Sequence, residues 1–327
     1  MKNETVLING GAGLIGSKIS RKLLKMGYKV VVFDPFVQYI SPFMVLIKNY
    51  IDLRFEGIKD KIIFERGDTT NISHSRNIII KHSPNYILHL AAMPLADLSN
   101  KHVEEAVSSI LIGAVNMLEI VKDLDYMKKF VYTSSSMVYG DFQEVPCKET
   151  HPKNPKDIYG GSKFAGEVMV RAFGRRFGIP YSIVRPSAVY GPYDVNRRVS
   201  QIFVEKALMG EKIRLDGGGR ITLDFTYVDD IADGIILSLF SDKSNGEAFN
   251  ITYGKGYSLL EFAEILKQFI PSLEYYIEEE KDDFRPKRGA LSIEKAKNLL
   301  GYDPKYPLER GLKEYVDTYK KLRIFNS

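Results

Sequence analysis

The chain of 327 residues contains few of the residues that build disulfides or metal centres. Its single cysteine, Cys147, excludes an intrachain disulfide, so we expect a protein of the reducing cytoplasm. Its five histidines do not have the spacing of a metal-binding motif, so no metal is expected.

Long apolar segments are also missing. A membrane-spanning helix needs about 18 consecutive apolar residues, and the longest run here, around Ile231–Phe240, is interrupted by Asp233 and Gly234. The N-terminus leads into a strand pattern rather than into the basic and apolar regions of a secretion signal. These absences predict that the protein has no membrane partner.

No clustered basic face marks the chain as a nucleic-acid binder. The formal net charge of +5 is small and scattered, so no nucleic-acid partner is expected. Hydrophobic residues make up 44% and charged residues 27%, a balance typical of a globular protein. A mild positive excess suits a nucleotide or sugar-phosphate ligand.

What the sequence does contain is an alternation of short β-branched runs with longer amphipathic stretches as far as Arg185. This pattern predicts a doubly wound parallel sheet of the Rossmann type, with helices on both faces. The predicted strands are Thr5–Ile8, Lys29–Phe33, Ile62–Glu65, Tyr86–Leu90, Phe130–Thr133 and Tyr181–Arg185. The predicted helices between them are Leu14–Met26, Ser73–His82, Val103–Lys122 and Tyr159–Phe177.

After Arg185 the pattern changes, because prolines and glycines separate shorter elements. Further helices are predicted at Ser200–Met209, Val228–Phe240, Leu259–Phe269, Ile293–Leu300 and Leu308–Lys321. We expect a smaller C-terminal α/β lobe, interleaved with the main sheet.

A glycine-rich loop lies between the first strand and the first helix. Gly10, Gly13 and Gly16 have the Gly-x-x-Gly-x-x-Gly spacing, which permits a tight turn and brings backbone amides close to a pyrophosphate. Glycine-rich turns also end strands for structural reasons alone. The placement between strand and helix favours dinucleotide binding.

The second predicted strand is followed by Asp34, 24 residues after Gly10. A carboxylate there can accept both adenosine ribose hydroxyls and would repel a 2′-phosphate, which favours NAD over NADP. An Asp that only caps a turn before Pro35 is the alternative. Asp68, after the third strand, could bind the adenine amine or serve only as a turn residue.

Tyr159 and Lys163 begin a predicted helix at positions i and i+4, on the same face. A free phenol has a pKa near 10 and is a poor base at neutral pH. A neighbouring ammonium and an oxidised nicotinamide would stabilise its phenolate. Ser135 lies in a serine run after a strand, where parallel sheets bind ligands, and its hydroxyl could hold a sugar oxygen.

Together these motifs resemble the extended short-chain dehydrogenase/reductase family, in its nucleotide-sugar epimerase and dehydratase branch, over essentially the whole chain. The motifs that carry the resemblance are Gly10–Gly16, His89–Ala92, Ser134–Ser136 with Val138–Gly140, Tyr159 with Lys163, Arg185-Pro186, Tyr190–Pro192, Asp224–Asp230 and Arg285-Pro286.

The resemblance implies two functional regions. Residues 1–185, with parts of 220–250 returning to them, would hold NAD, and residues 186–327 would mainly hold the nucleotide sugar. The implied catalytic residues are Ser135, Tyr159 and Lys163. The implied cofactor-binding residues are Gly10, Gly13, Leu14, Ile15, Gly16, Asp34, Asp68, Thr69, Leu90, Ala91, Ala92, Tyr159 and Lys163. The implied substrate-binding residues are Ser135, Ser136, Met137, Arg197 and Arg285.

In this family Tyr159 would take the proton of the sugar 4-hydroxyl while the C4 hydride moves to NAD. Relatives that are 4,6-dehydratases usually carry Asp-Glu directly before the Val-Tyr-Gly motif, and decarboxylases carry Glu. Ser136 and Met137 occupy those positions here, and neither can act as a second acid or base. We therefore expect a 4-epimerase, with a 4,6-dehydratase or another keto-forming or reducing enzyme as the alternative.

Two positions depart from the family pattern. Ala188 stands where relatives usually have Asn, and Leu223 where they often have Arg; both commonly touch the substrate diphosphate. Arg285 remains and can clamp a phosphate. Arg197, Arg198 and Arg220 could compensate or could be ordinary surface residues.

Two rival functions remain open: a non-catalytic NAD-binding regulatory protein, and a reductase that releases NADPH after each turnover. The intact Ser135, Tyr159 and Lys163 argue against the first, and Asp34 argues against the second. The family resemblance further implies a homodimer through the helices Val103–Lys122 and Tyr159–Phe177.

Overall fold

The computed structural model describes residues 4–40, 50–280, 282 and 285–322. A seven-stranded parallel sheet forms its centre. Six strands come from the first part of the chain and the seventh, β11, from the second. They are β1 (Thr5–Asn9), β2 (Lys29–Asp34), β3 (Ile63–Arg66), β4 (Tyr86–His89), β5 (Lys129–Thr133), β6 (Tyr181–Arg185) and β11 (Ala248–Asn250). Their order in the sheet is β3-β2-β1-β4-β5-β6-β11.

Continuous apolar strands explain why both faces of this sheet are covered. All five residues of β1 are buried. In the register, Leu7 lies between Val31 of β2 and Ile87 of β4. Residues that alternate along a strand point to opposite faces, so Leu7 and Ile8 belong to two different apolar clusters. Each cluster needs its own layer of helices.

Twelve α-helices are assigned in the described residues. They are α1 (Leu14–Lys25), α2 (Tyr50–Arg54), α3 (Ile72–His82), α4 (Ala96–Lys101), α5 (Val103–Val107), α6 (Gly113–Val121), α7 (Ile158–Phe177), α8 (Val199–Leu208), α9 (Val228–Phe240), α10 (Leu259–Lys267), α11 (Glu294–Leu300) and α12 (Leu308–Lys321). Residues from α3, α6 and α7 pack on the Leu7 face, and residues from α1, α9 and α11 on the Ile8 face.

The second lobe is built on three two-stranded sheets and a separate apolar core. The pairs are β7 (Val189–Tyr190) with β10 (Thr226–Tyr227), β9 (Thr222–Leu223) with β12 (Tyr257–Ser258), and β8 (Ile213–Leu215) with β13 (Tyr275–Ile277). Residues of α8, α10 and α12 fill the core beside these strands. The lobe is interleaved with the main sheet because α9 and β11 return to it.

The predicted fold class is confirmed, and the predicted strands and helices occur with shifts of a residue or two at their ends. The helix predicted at Val103–Lys122 contains a π-helical turn at Ser108–Ile112 between α5 and α6. The sequence analysis did not predict α2, α4, β11 or the short strands of the second lobe, which are β7 to β10, β12 and β13. Within the described ranges, no helix combines the length and apolarity that crossing a bilayer requires.

Candidate active site

A cavity of about 890 Å³ lies where the carboxyl ends of the parallel strands face the second lobe. Every residue assigned above to the cofactor, the substrate or catalysis lines this cavity. Segments far apart in the sequence therefore meet in one place, as expected for the carboxyl edge of a parallel sheet.

The phosphate loop is shaped by close backbone contacts that exclude side chains. Gly10 has a φ of 73°, and a Cβ there would lie 2.7 Å from the backbone nitrogen of Ala91. A Cβ on Gly16 would lie 2.5 Å from the carbonyl oxygen of Gly11. Helix α1 begins directly after Gly13 without a side-chain cap, so its first amides remain suited to a phosphate.

Asp34 stands beside this loop at the end of β2. Its carboxylate accepts hydrogen bonds from the amides of Ala12 at 3.0 Å and Phe36 at 2.7 Å. Burial raises the pKa of Asp34, while these two bonds and the charge of Arg54 oppose the rise. A carboxylate held next to a glycine cradle matches the ribose and pyrophosphate of a dinucleotide, so the residues present fit NAD.

Arg54 is a buried member of the cavity wall that no sequence motif marked. Its guanidinium donates to the carbonyl oxygens of Ala12 at 2.8 Å and Tyr193 at 2.6 Å. It thereby links the phosphate loop to the second lobe. Its Nε has no hydrogen-bond partner among the described residues.

Helix α7 carries the paired tyrosine and lysine. Asp157 caps the helix by accepting the amide hydrogen of Gly160 at 2.6 Å, as short polar side chains do at helix starts. Lys163 Nζ lies 5.9 Å from the centre of the Tyr159 ring and donates to the carbonyl oxygen of Thr133 at 2.7 Å. Burial lowers the pKa of Lys163 to about 7, against the opposing charge of Glu167.

Tyr159 lines the cavity together with Ser135. Burial raises the pKa of the phenol, and the positive charge of Arg198 and hydrogen bonding to the Ser135 side chain oppose the rise. The sequence argument predicted a lowering of this pKa by Lys163, which lies beside the ring. Arg198 of the second lobe is a further cation that lowers the pKa of the phenol, and no local motif marked this role because the two residues are far apart in sequence.

Arg198 is fixed by an ion pair at the start of α8. Its Nη1 lies 2.8 Å from both carboxylate oxygens of Asp194, which is buried. Burial lowers the pKa of Arg198, but Asp194 outweighs burial and leaves the pKa raised. The guanidinium therefore stays charged within the cavity.

The other arginines of the second lobe differ in their exposure, in their ion pairs and in whether they line the cavity. Arg285 is 61% exposed and forms an ion pair with Asp97 at 3.1 Å. Arg288, which the sequence analysis did not select, also lines the cavity, and its Nε has no hydrogen-bond partner among the described residues. Burial and the neighbouring Arg285 lower the pKa of Arg288 to about 10. Arg220 lies outside the cavity and is bound to Glu279.

Ser136 and Met137 occupy the cavity wall directly after Ser135. They begin a 3-10 turn that the Ser135 side chain caps by accepting the Met137 amide hydrogen at 3.2 Å. A carboxyl group, that of Asp157, lies two residues before Tyr159 and lines the cavity. This carboxyl group also caps helix α7 through its hydrogen bond with the Gly160 amide.

This fold and site are those of a class of enzymes that bind NAD and carry a tyrosine–lysine pair. The family model described as GDP-mannose 4,6 dehydratase matches residues 7–315. The chain therefore belongs to this family of NAD-dependent extended short-chain dehydrogenase/reductase proteins, which includes nucleotide-sugar epimerases and dehydratases.

Individual relatives have different activities. A putative UDP-glucose 4-epimerase of Methanocaldococcus jannaschii is 30% identical over 96% of this chain and 98% of its own length. A dTDP-glucose 4,6-dehydratase of Haemophilus influenzae is 28% identical over 98% of both chains. The crystal structure of a Bacillus cereus UDP-glucuronic acid 4-epimerase, with UDP-glucuronic acid and NAD, has a TM-score of 0.87 at 28% identity and covers 97% of this chain and 99% of that one.

Proposed function

We propose that the protein is an NAD-dependent nucleotide-sugar 4-epimerase that acts through a transient 4-keto sugar. Residues 1–185, with parts of 220–250, hold NAD. Residues 186–327 mainly hold the nucleotide sugar. The one cavity shared by the phosphate loop, Tyr159 and the second lobe supports this division.

The protein side chains supply binding, orientation and proton transfer. Tyr159 takes the proton from the sugar 4-hydroxyl, and Ser135 holds the same oxygen through its hydroxyl. NAD held by the phosphate loop and Asp34 would supply the hydride chemistry at C4, and inversion requires that the keto sugar present its opposite face to the cofactor. Tyr159 then returns the proton to the 4-oxygen, which restores the phenolate for the next turnover.

The observation that carries the choice of epimerisation is the pair Ser136 and Met137 beside Ser135. Elimination of water across C5 and C6 requires a second acid and base near the keto sugar. A serine hydroxyl and a thioether do not titrate near neutral pH. The keto sugar therefore has no partner at these positions for elimination.

A second candidate function, that of a 4,6-dehydratase, is favoured by the carboxyl group of Asp157. The carboxyl of Asp157 lines the cavity, and burial raises its pKa, as a general acid requires. Its hydrogen bond to Gly160 favours a structural role instead. Asp157→Asn keeps an acceptor for the cap, so an epimerase should retain turnover within about threefold, whereas a dehydratase should lose 10²-fold or more.

The decisive experiment incubates the NAD-loaded protein with a panel of nucleotide sugars in D₂O and follows the products by NMR. An epimerase inverts C4, leaves C5 and C6 without solvent deuterium, and retains the original protium at C4. A 6-deoxy-4-keto product with solvent deuterium would contradict the proposal. Tyr159→Phe serves as the inactive control.

A further inference from the structure

The cavity has an end that neither the cofactor nor the reacting sugar accounts for. NAD is assigned to the side of Gly10 and Asp34, and the sugar must lie at Tyr159. The lining continues through the second lobe to β8 and β13. A nucleotide sugar held at Tyr159 therefore extends its nucleoside toward these two strands; this step rests on the proposed function.

Three side chains at this end have the chemistry of a nucleobase site. Arg214 and the residue after β8, Asp216, point to the same side because alternate strand residues share a face, and the Nε of Arg214 lies 2.7 Å from Asp216 Oδ1. Tyr276 of β13 is paired with Arg214 in the strand register. All three line the cavity, and Tyr276 is 48% exposed.

The ion pair with Arg214 orients the Asp216 carboxylate and leaves it able to accept further hydrogen bonds. A guanidinium has five N–H donors and a carboxylate about four acceptor positions, so one contact leaves capacity on both groups. An exposed aromatic ring beside them can stack on a base, a contact that is insensitive to base identity. Selectivity must then come from Arg214 and Asp216.

We propose that this end of the cavity recognises guanine, so that the substrate is a guanosine-diphosphate sugar. Asp216 accepts the N1–H and the exocyclic N2–H of the base, Arg214 donates to O6, and Tyr276 stacks on the ring.

Guanine is the base whose edge places two donors side by side opposite a carboxylate. Uracil and thymine offer one N–H flanked by two carbonyl oxygens. One of these carbonyl oxygens would face the second oxygen of the Asp216 carboxylate, and two acceptors cannot share a hydrogen bond. Cytosine and adenine offer an amino group next to an unprotonated ring nitrogen, which a carboxylate repels. A mismatched acceptor leaves polar groups unpaired, which costs affinity.

The test measures binding of GDP, IDP, UDP, dTDP, CDP and ADP to the NAD-saturated protein by calorimetry, without any turnover. IDP is GDP without the N2 amine. We expect GDP to bind at least tenfold more tightly than each of the other five. Asp216→Asn should reduce GDP affinity to that of IDP and change IDP affinity less. Glu279→Gln, which removes an exposed carboxylate outside the cavity, should leave the GDP preference unchanged.

Tyr276 is tested separately: Tyr276→Ala should weaken all six diphosphates, and Tyr276→Phe should not. The inference is overturned if another diphosphate binds as tightly as GDP, if Asp216→Asn keeps the preference for GDP over IDP, or if none of the six binds. A protein that prefers UDP and inverts C4 of a UDP-sugar refutes the guanine site alone. One that prefers GDP but releases a 6-deoxy-4-keto sugar refutes the epimerase alone.

Discussion

The side chain of Lys163 donates a hydrogen bond of 2.7 Å to the carbonyl oxygen of Thr133, at the end of β5. This bond connects helix α7 to the sheet edge, in the same turn of helix that presents Tyr159. Lys163 is almost fully buried, and this burial lowers its pKa to about 7. The burial of this ammonium disfavours its charged form, at a position where the proposed chemistry requires a cation.

We expect Lys163→Met to stabilise the fold while it removes activity. The pKa of Lys163 is about 7 in the folded protein and about 10.4 in an unfolded chain, so the unfolded chain binds more protons between these values. This group therefore makes stability rise with pH from about 7 to about 10.4. At pH 7 the variant should gain about 1–3 kcal/mol in free energy of unfolding, measured with urea, and the gain should shrink by pH 9. A variant that is less stable than wild type at pH 7 would contradict this cost.

Tyr159→Phe should lower turnover by about 10² to 10⁴-fold, because the phenyl ring cannot take the sugar proton. NAD should remain bound, since the phosphate loop and Asp34 are unchanged. Turnover assays and the cofactor absorbance of the purified variant measure the two effects. Activity equal to wild type would remove Tyr159 from the mechanism.

Loss of the charge at Arg198 should shift the pH dependence of turnover. The charged and polar groups around Tyr159 are Arg198, Ser135, Asp157 and Lys163. Arg198 lowers the pKa of the phenol, so Arg198→Met should raise that pKa and move the acidic limb of the kcat profile to higher pH. Arg198→Lys retains the charge and should keep the limb near its wild-type position. A limb that stays in place in both variants would show that Arg198 does not act on the phenol.

Arg288 should matter more for substrate affinity than Arg285. Arg288 lines the cavity, has an unpartnered Nε among the described residues and is destabilised by its cationic neighbour, so an anionic diphosphate would satisfy it. Arg288→Gln should raise the KM for the nucleotide sugar about 10- to 100-fold. Arg285 is largely exposed and paired with Asp97, so Arg285→Gln should change KM less than threefold. Equal effects would place both arginines on the substrate.

A homodimer should form through the helical face that contains α5, α6 and α7. Ile112, in the π-helical turn between α5 and α6, and Val168 of α7 are exposed apolar residues, and each would be covered in a four-helix interface. Ile112→Glu with Val168→Glu should convert a dimer into a monomer in light scattering. Ile80→Glu, a matched change of an exposed isoleucine on α3, should not. A monomeric wild-type protein would refute the interface.

Local sequence patterns were sufficient for the phosphate loop and for the tyrosine–lysine pair. Gly16 is required by its close approach to Gly11 within one strand–turn–helix unit, and Gly10 by its positive φ in the turn of that unit. Tyr159 and Lys163 are related by the period of one helix. Arg54 and Arg288 were not selected in this way, and Arg198 was named only as an arginine that could compensate on the substrate. Arg54 contacts Ala12 and Arg198 acts on Tyr159, both distant in sequence, so no local spacing reports these roles.

The sequence by itself determined the parallel sheet, its glycine cradle and the residues that carry the proposed chemistry, because hydrophobic period and short motifs are properties of neighbouring residues. Only the tertiary structure showed that Arg198 lowers the pKa of Tyr159 and that Arg54 and Arg288 also line the cavity. It also decided that Arg214, Asp216 and Tyr276 share one end of that cavity. Electrostatic effects and burial depend on distances through space, and these are set when the second lobe packs against the sheet.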